Sequence, residues 1–390
     1  MKKTERVKKE PLFHIVKRDN LSLKKKVAIY AISIFLGLLV GAIVCSLFSK
    51  GTPIKFFSSL FAGALSTPRR IWLLLQETAL LLGVSLALAP AFKMKFWNLG
   101  GNGQILMGCL SYVGAMKYLG GKISDIAVMI IGLALGIVVG AIWALIPAIF
   151  KAFFNTNESL FTLMMNYIAS GLVATFITIW VTGGSGVLKP IKDGGIPELG
   201  NSYLLTILVF FLLAVAMYVY LRYSKQGYEI SVVGESNNTA KYIGINVRRV
   251  IIRTMIISGA IAGLVGAFIG GAIDHTVSTT SASNMGFTAI MTAWLAAFNP
   301  LIMIASSLFI SFVSKGMTQV CKDFKFTNNA ISNIVIGIVY FSVIAVSFFL
   351  SYKIVFREGA FDGIKSLFKK KVTVVEEASD ETNEKKEELS

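Results

Sequence analysis

Charged residues are scarce in this 390-residue chain, at 15% of the sequence, whereas soluble domains contain roughly a quarter. Hydrophobic residues make up 55%, and the mean hydropathy is +0.69. The apolar runs are continuous, reach the ~20 residues that a membrane-crossing helix needs, and lack the alternation of a membrane β-barrel. The composition therefore excludes a soluble protein and predicts an all-α integral membrane protein.

Cysteines, histidines and nucleotide-binding motifs are also scarce or missing. Cys45, Cys109 and Cys321 lie in or at the end of apolar runs without CxxC spacing, so we predict small hydrophobes and neither disulfides nor metal ligands. The sequence contains no GxxxxGKS or GxxxxGKT run, and residues 101–103 do not extend to GxGxxG because Leu106 takes the third position. We therefore expect no cofactor, no metal site and no enzymatic activity in this chain.

What the chain does contain is a series of apolar spans rich in glycine. Two of them are irregular, because the segment at 97–116 begins with polar residues and the segment at 286–299 is short. The ten predicted spans are residues 27–48, 71–91, 97–116, 123–150, 159–181, 202–221, 250–273, 286–299, 300–319 and 330–352. They predict a polytopic bundle of about ten transmembrane helices, some short or broken, packed closely through small residues.

The charge distribution divides the chain into three regions. Residues 1–26 hold ten lysines and arginines and predict a basic cytoplasmic tail, residues 27–352 the transmembrane domain, and residues 353–390 a largely disordered cytoplasmic tail. Lysines and arginines crowd residues 1–26 and the ends of the apolar spans, a distribution typical of membrane orientation signals. The net charge of +17 therefore does not indicate nucleic-acid binding. We expect a multi-pass protein of the plasma or inner membrane with both termini in the cytoplasm.

The segment NLGGNGQILMG, residues 98–108, places amides in an apolar stretch. On a continuous helix Asn98 and Asn102 would share one face, and Gln104 would lie on another beside glycines. Hydrocarbon does not tolerate such amides, so they must face the bundle interior or a wet cavity. Two interpretations stay open: they line a solute pathway, or they join helices by hydrogen bonds.

Two further segments combine amide and aromatic side chains. Residues 155–171 contain Asn157, a predicted helix N-cap, and carry Asn166 and Tyr167 in mid-span, where they line a pathway or bond neighbouring helices. Residues 279–300 contain Asn284, Phe287 and Trp294, which suit the face of a sugar or a base. The alternative for that segment is an interfacial aromatic belt.

The longest polar interruption between spans, at about 222–249, is basic and therefore predicted to be cytoplasmic. Between Gly234 and Gly244 it has room for a short helix, with Ser236 or Asn237 as N-cap and Gly244 as its stop. A short exposed helix between two membrane helices is a surface that a cytoplasmic motor protein can push. An ordinary basic loop that sets topology is the alternative.

Three of these segments resemble ABC importer permeases for simple sugars and nucleosides, the ribose-permease-like class. Residues 96–115 resemble that family's N-I/L-G-x-x-G-Q-x-x-x-G motif, residues 157–169 its N-E-x-x-x-T-I/L-M-x-N-Y-I-A stretch, and residues 234–249 its coupling loop. The segment at 279–300 also resembles a late stretch of that family. The chain departs from the family at Asn102, where the nucleoside branch often has an acidic residue, at Lys241, and at Trp294, where leucine is common.

The resemblance implies a permease subunit that works by alternating access and is driven by ATP on a separate subunit. The implied partners are a cytoplasmic ABC ATPase, a second permease chain (a paralogue or a second copy) and an extracytoplasmic solute-binding lipoprotein. The residues it assigns to ATPase coupling are Gly234, Asn237, Ala240, Tyr242, Gly244 and Ile245.

We expect nucleosides as the solute, with ribose or another simple sugar as the alternative. A second alternative is an ion-coupled carrier acting alone, but such carriers use carboxylates inside the membrane, and Glu77 is the main candidate here. A third is a membrane scaffold that transports nothing. Asp274 and His275 are predicted to be an outer surface pair and not a proton relay.

Overall fold

A computed structural model of the chain describes residues 13–17, 22–49, 51–181, 186–326 and 330–356. Its elements are β1 (Phe13–Lys17), α1 (Leu23–Leu47), α2 (Pro53–Leu65), α3 (Pro68–Lys93), α4 (Gly101–Leu119), α5 (Asp125–Phe154), α6 (Glu158–Trp180), α7 (Leu204–Tyr223), α8 (Lys225–Glu235), α9 (Asn237–Tyr242), α10 (Val247–Phe268) with a π-helical turn (Ile269–Ile273), α11 (Met285–Leu295), α12 (Pro300–Asp323), α13 (Ala330–Ser351) and β2 (Tyr352–Phe356). The predicted polytopic helical fold is confirmed.

Seven helices in the described part of the chain are long and apolar enough to cross a membrane, namely α1, α3, α5, α6, α7, α10 (with its π-helical turn) and α12. Shorter apolar helices accompany them, including α2 and α11. The stretch between the first two predicted spans contains α2, which begins at Pro53 after the N-cap Thr52 and was not predicted. Proline is well suited to the first helical position, since it needs no hydrogen-bonded amide there.

Backbone contacts divide the described residues into two compact units, one within 39–340 and one that combines the described residues before 39 with those after 340. In the terminal unit, β1 and β2 pair antiparallel with Phe13 opposite Phe356. This pairing joins parts of the chain far apart in sequence and was not predicted. Residues 1–12, 18–21 and 357–390, which make up most of the two predicted tails, lie outside the described residues.

Glycines bring α5 and α10 into backbone contact inside the larger unit. A Cβ atom on Gly259 would lie 2.3 Å from the carbonyl oxygen of Gly140, and one on Gly263 would lie 2.2 Å from that of Gly136. No real Cβ atom fits at such distances, so only glycine allows this approach. The predicted role of small residues in helix packing is confirmed here.

Helix α3 runs through the centre of the larger unit. Its leucines Leu82, Leu86 and Leu88 are fully buried, and it contacts α7, α10, α11 and α12. Helices α5 and α6, in contrast, keep large apolar side chains exposed, such as Ile130 and Ile168. Faces of this kind suit the hydrocarbon of a bilayer, so the exposed apolar surface is what a membrane-embedded bundle requires.

Candidate functional site

Helix α4 begins at Gly101 and not at the tryptophan–asparagine pair before it. The chain leaves α3 at Lys93, turns through Lys95 in a left-handed conformation (φ 60°) and reaches α4 over residues 96–100. The prediction that Asn98 and Asn102 share one helical face is therefore wrong. Asn98 lies in the turn, where its Oδ1 accepts a hydrogen bond from the Gly100 amide at 3.0 Å.

Asn98 and Gln104 form a closed amide pair. Gln104 Nε2 donates to Asn98 Oδ1 at 3.3 Å, and Asn98 Nδ2 lies 3.5 Å from Gln104 Oε1 and 3.2 Å from the hydroxyl of Ser258 on α10. All three side chains are buried. In this structure these two amides join α4 to α10 and do not line the cavity described below.

Asn166 on α6 caps the start of α4 from outside. The N-cap residue Gly100 has no side chain to offer the first amides of the helix, and those amides have no partner within their own helix. Asn166 Oδ1 accepts from Gly103 N–H at 2.7 Å, and its Nδ2 donates to the Leu99 carbonyl at 2.8 Å. Thr162, one turn earlier, accepts from Leu99 N–H at 3.0 Å.

Asn102 of α4 caps the start of α11 in the same way. Its Oδ1 accepts from the Gly286 amide at 2.8 Å, and because that amide is a donor, the atom facing it must be the oxygen. The Asn102 NH₂ group makes no hydrogen bond within the described residues. The N-termini of α4 and α11 are in contact here, since a Cβ atom on Gly286 would lie 2.6 Å from the backbone nitrogen of Asn102.

A cavity of about 270 Å³ lies beside this junction. It is lined by Asn102, Leu106, Leu163, Asn166, Tyr167, Ser170, Thr279, Thr280, Ala282, Ser283, Asn284 and Phe287. Five of the eight residues predicted for a pathway are among them, drawn from three separate sequence segments. The lining holds amides, hydroxyls and two aromatic rings, and no charged side chain.

The two aromatic residues of the lining are also exposed, Tyr167 at 68% and Phe287 at 40%. Asn284 and Ser283 adopt left-handed backbone conformations (φ 56° and 44°) just before α11. Sequence reasoning missed the hydroxyl side chains of residues 279–283, although a run of serine and threonine ahead of a short helix was a usable signal.

Trp294, also predicted for the pathway, lies at the other end of α11. Its ring packs against Trp97 with centroids 5.7 Å apart, and Trp97 in turn meets Phe92 edge-on. Phe92 stacks on Phe298. The structure thus separates Trp294 from the cavity and places it in an aromatic cluster around the turn that follows α3.

The segment at 222–249 folds into two helices. The predicted short helix between Gly234 and Gly244 is confirmed as α9, since Ser236 caps it by accepting from Thr239 N–H at 3.3 Å, and Gly244 follows it with φ 84°. Helix α8 before it was not predicted. An ion pair between Glu229 and Arg253, at 2.9 Å, joins α8 to α10.

The six residues predicted for coupling divide between buried and exposed positions. Gly234 lies against α3, where a Cβ atom would come within 2.1 Å of the Lys93 carbonyl oxygen. Ala240 is fully buried, and its carbonyl accepts from Ile245 N–H at 2.9 Å. Asn237 is exposed, as is Tyr242 at 93%. The segment is therefore anchored on one side and presents a free face on the other.

The cavity lining contains no acidic, basic, histidine or cysteine side chain. Within the described residues no cluster of three histidine, cysteine or acidic side chains has the arrangement of a metal site. Glu77 of α3 pairs with Lys315 of α12 at 3.0 Å. Asp274 follows the π-helical turn, and burial raises the pKa of its carboxyl while the neighbouring His275 opposes that rise.

This chain is similar to transport permeases. Residues 70–344 match the family described as "Branched-chain amino acid transport system / permease component". The chain is 28% identical over 316 residues to the nucleoside ABC transporter permease protein NupB of Lactococcus lactis, covering 77% of this chain and 86% of that protein.

Two further relatives carry different solute names. The chain is 30% identical over 277 residues to the guanosine ABC transporter permease protein NupP of Bacillus subtilis, covering 68% of this chain and 78% of that protein. It is 25% identical over 320 residues to the glucose ABC transporter permease protein TsgB13 of Haloferax volcanii, covering 77% and 83%. The range that matches the family, residues 70–344, is more than half of the sequence and includes both the cavity and the 222–249 segment. The chain therefore belongs to this family of transport-system permease components.

Proposed function

We propose that this permease subunit imports nucleosides, powered by ATP hydrolysis on a separate cytoplasmic ABC ATPase. The observation that carries the proposal is the uncharged cavity at the junction of α4, α6 and α11. Its amides and hydroxyls match the hydroxyls of a ribose, and the rings of Tyr167 and Phe287 offer faces on which a base stacks. The names of two relatives favour the same solute class.

The absence of charged side chains from the cavity argues for a neutral solute. No lysine, arginine, aspartate or glutamate lines it, so no side chain in it neutralises the full charge of a nucleotide phosphate or an amino-acid zwitterion. The N-termini of α4 and α11 meet beside the cavity and give it a weak positive potential, which favours hydroxyl and carbonyl oxygens. A simple sugar is the second candidate, because TsgB13 is a glucose permease and hydroxyl ligands suit sugars too.

The partners in this proposal are the ATPase, a second permease chain and an extracytoplasmic solute-binding lipoprotein. The exposed face of α9, with Tyr242, is the surface offered to the ATPase. Closure of the ATPase then moves the 222–249 segment, and the cavity opens alternately to either side of the membrane. The chain itself makes no covalent bond and needs no cofactor of its own.

An ion-coupled carrier is the competing class. Its main candidate carboxylate, Glu77, is already matched by the ammonium group of Lys315 at 3.0 Å, which favours a structural ion pair over a coupling-ion site. Proteoliposomes that contain only this chain discriminate the two classes. Gradient-driven uptake without an ATPase would refute our proposal.

The substrate is tested by uptake of labelled guanosine, uridine and ribose into cells that lack the chromosomal copy of this chain. We expect restored nucleoside uptake on complementation, competition by unlabelled nucleosides, and none by nucleotides. Phe287→Ala should weaken nucleoside uptake about tenfold, because it removes a stacking face worth roughly 1–3 kcal/mol. Gly171→Ala on the exposed side of α6 is the matched control, since nothing lies within 4 Å of a Cβ there. If the deletion strain took up nucleosides at the wild-type rate, the assignment of nucleosides as the solute would be contradicted.

A further inference from the structure

The turn at residues 93–100 contacts the 222–249 segment on one side and α6, which carries a cavity-lining residue, on the other. On one side the carbonyl of Lys93 faces Gly234 so closely that a Cβ on that glycine would come within 2.1 Å of it. On the other side the Leu99 backbone bonds Thr162 and Asn166 of α6 through both its N–H and its C=O. Asn166 lines the cavity.

A second connection reaches the same turn through α10. The ion pair of Glu229 with Arg253 fixes α8 to the first turns of this helix. Ser258 lies eleven residues after the start of α10, about 16 Å along a rigid rod. Its hydroxyl accepts a hydrogen bond from Asn98 Nδ2 at 3.2 Å, in a place where both side chains are fully buried.

The remaining bonds of Asn98 fix the shape of the turn itself. Its Oδ1 accepts hydrogen bonds from both the Gly100 amide and Gln104 Nε2, so the side chain cannot move without displacing the first turn of α4. That turn carries Asn102, which holds Gly286 and lines the cavity. A shift of α10 relative to α3 is therefore passed on to two cavity walls.

We propose that the Ser258–Asn98 hydrogen bond is a positioning contact that couples the 222–249 segment to the cavity. The proposal rests on the proposed function and adds to it the part of the molecule that transmits the movement. It assigns Asn98 and Gln104 a role without solute contact, which explains why they are buried away from the cavity. Loss of the bond uncouples ATP hydrolysis from import and leaves the cavity and the ATPase surface in place.

The test uses the whole transporter, purified with its partner chains and reconstituted in proteoliposomes, and measures ATP hydrolysed per nucleoside imported. Ser258→Ala removes the acceptor and adds no bulk to the helix. We expect basal ATP hydrolysis within twofold of wild type and import lowered about fivefold, the effect of one buried hydrogen bond. The ratio of ATP to nucleoside then rises about fivefold, and Ser258→Thr, which keeps the hydroxyl, restores it.

Ser307→Ala is the matched control. Ser307 is also a fully buried serine in a spanning helix, and its hydroxyl has no hydrogen-bond partner among the described residues. The coupling role would be overturned by any of three results. These are an unchanged ratio of ATP to nucleoside in Ser258→Ala, an equal rise of that ratio in Ser307→Ala, and failure of Ser258→Ala to assemble. A wild-type transporter that does not import nucleosides with ATP would instead refute the proposed function, so the two failures are distinguishable.

Discussion

Individual polar side chains in this protein complete helix ends that lack their own caps. Asn166 caps α4 from α6, and Asn102 caps α11 from α4. In a membrane, where water does not reach such amides, this borrowed capping replaces the usual serine or aspartate at the N-cap. The same residues line the cavity, so the helix ends and the solute site are built from one set of groups.

Replacing Asn166 by leucine tests this arrangement. Leucine is similar in size but leaves the Gly103 amide and the Leu99 carbonyl without partners, at about 1–3 kcal/mol each. We expect the apparent Tm of the purified chain to fall by about 5 °C or more and transport to be lost. Thr175→Val is the control, because Thr175 is exposed on the same helix and bonds only the Gly171 carbonyl of its own helix. Equal Tm values for the two variants would contradict the capping role.

From residue types alone, the grouping of side chains around one cavity was predicted better than the position of each side chain in its helix. Asn102, Asn166, Tyr167, Asn284 and Phe287 do meet at one cavity. The pattern did not reveal that α4 begins only at Gly101, because Asn98 is held out of the helix by bonds to distant groups such as Ser258. A contact across 160 positions leaves no local trace in the sequence.

Among the elements, the packing of α5 on α10 depends most directly on glycine. We predict that Gly263→Ala prevents a stable fold, since its Cβ would lie 2.2 Å from the carbonyl oxygen of Gly136 and the two helices would have to separate. Gly171→Ala should fold as well as wild type, because that position is open. The measurement is the monodisperse fraction of detergent-extracted protein on size exclusion. A normal profile for Gly263→Ala would show that the two helices are not in backbone contact.

The turn after α9 supports a second prediction at this scale. Gly244 has φ 84°, and its amide donates to the Lys241 carbonyl at 3.1 Å. Proline fixes φ near −65° and has no amide hydrogen, so Gly244→Pro should disrupt α9. We expect normal membrane insertion and loss of solute-stimulated ATP hydrolysis in the reconstituted transporter.

Gly200→Pro provides the control for that substitution. Gly200 also has a left-handed backbone (φ 77°) with open space around it, but it lies before α7. This variant should keep stimulated hydrolysis. Full solute-stimulated ATP hydrolysis in Gly244→Pro would show that α9 does not take part in coupling.

Helix α9 was predictable and α8 and α2 were not, for a physical reason. The end signals of α9 are local, a serine cap and a left-handed glycine within nine residues. Helix α8 has only 11 residues and mixes charged, aromatic and small side chains, and α2, with 13 residues, is too short to be recognised as a span. Both are stabilised by packing against neighbouring helices, which the sequence does not display.

At the scale of the whole molecule, the proposal requires the 222–249 segment to face the cytoplasm. The lysine and arginine distribution predicts that orientation. Helix α7 has 20 residues, about 30 Å, which is one bilayer crossing. Residues before α7 and residues after it must then lie on opposite sides of the membrane.

Labelling of one introduced cysteine at a time measures the membrane side of each segment directly. The three native cysteines are buried, so their background with a membrane-impermeant maleimide should be low. Tyr242→Cys, at a position 93% exposed, should react only in inside-out vesicles, where the cytoplasmic face is accessible. Lys189→Cys, exposed in the segment before α7, should react only in right-side-out vesicles. The reverse pattern would place α9 on the side of the solute-binding protein and exclude contact with an ATPase, and labelling of both positions from one side would mean that α7 does not cross the membrane.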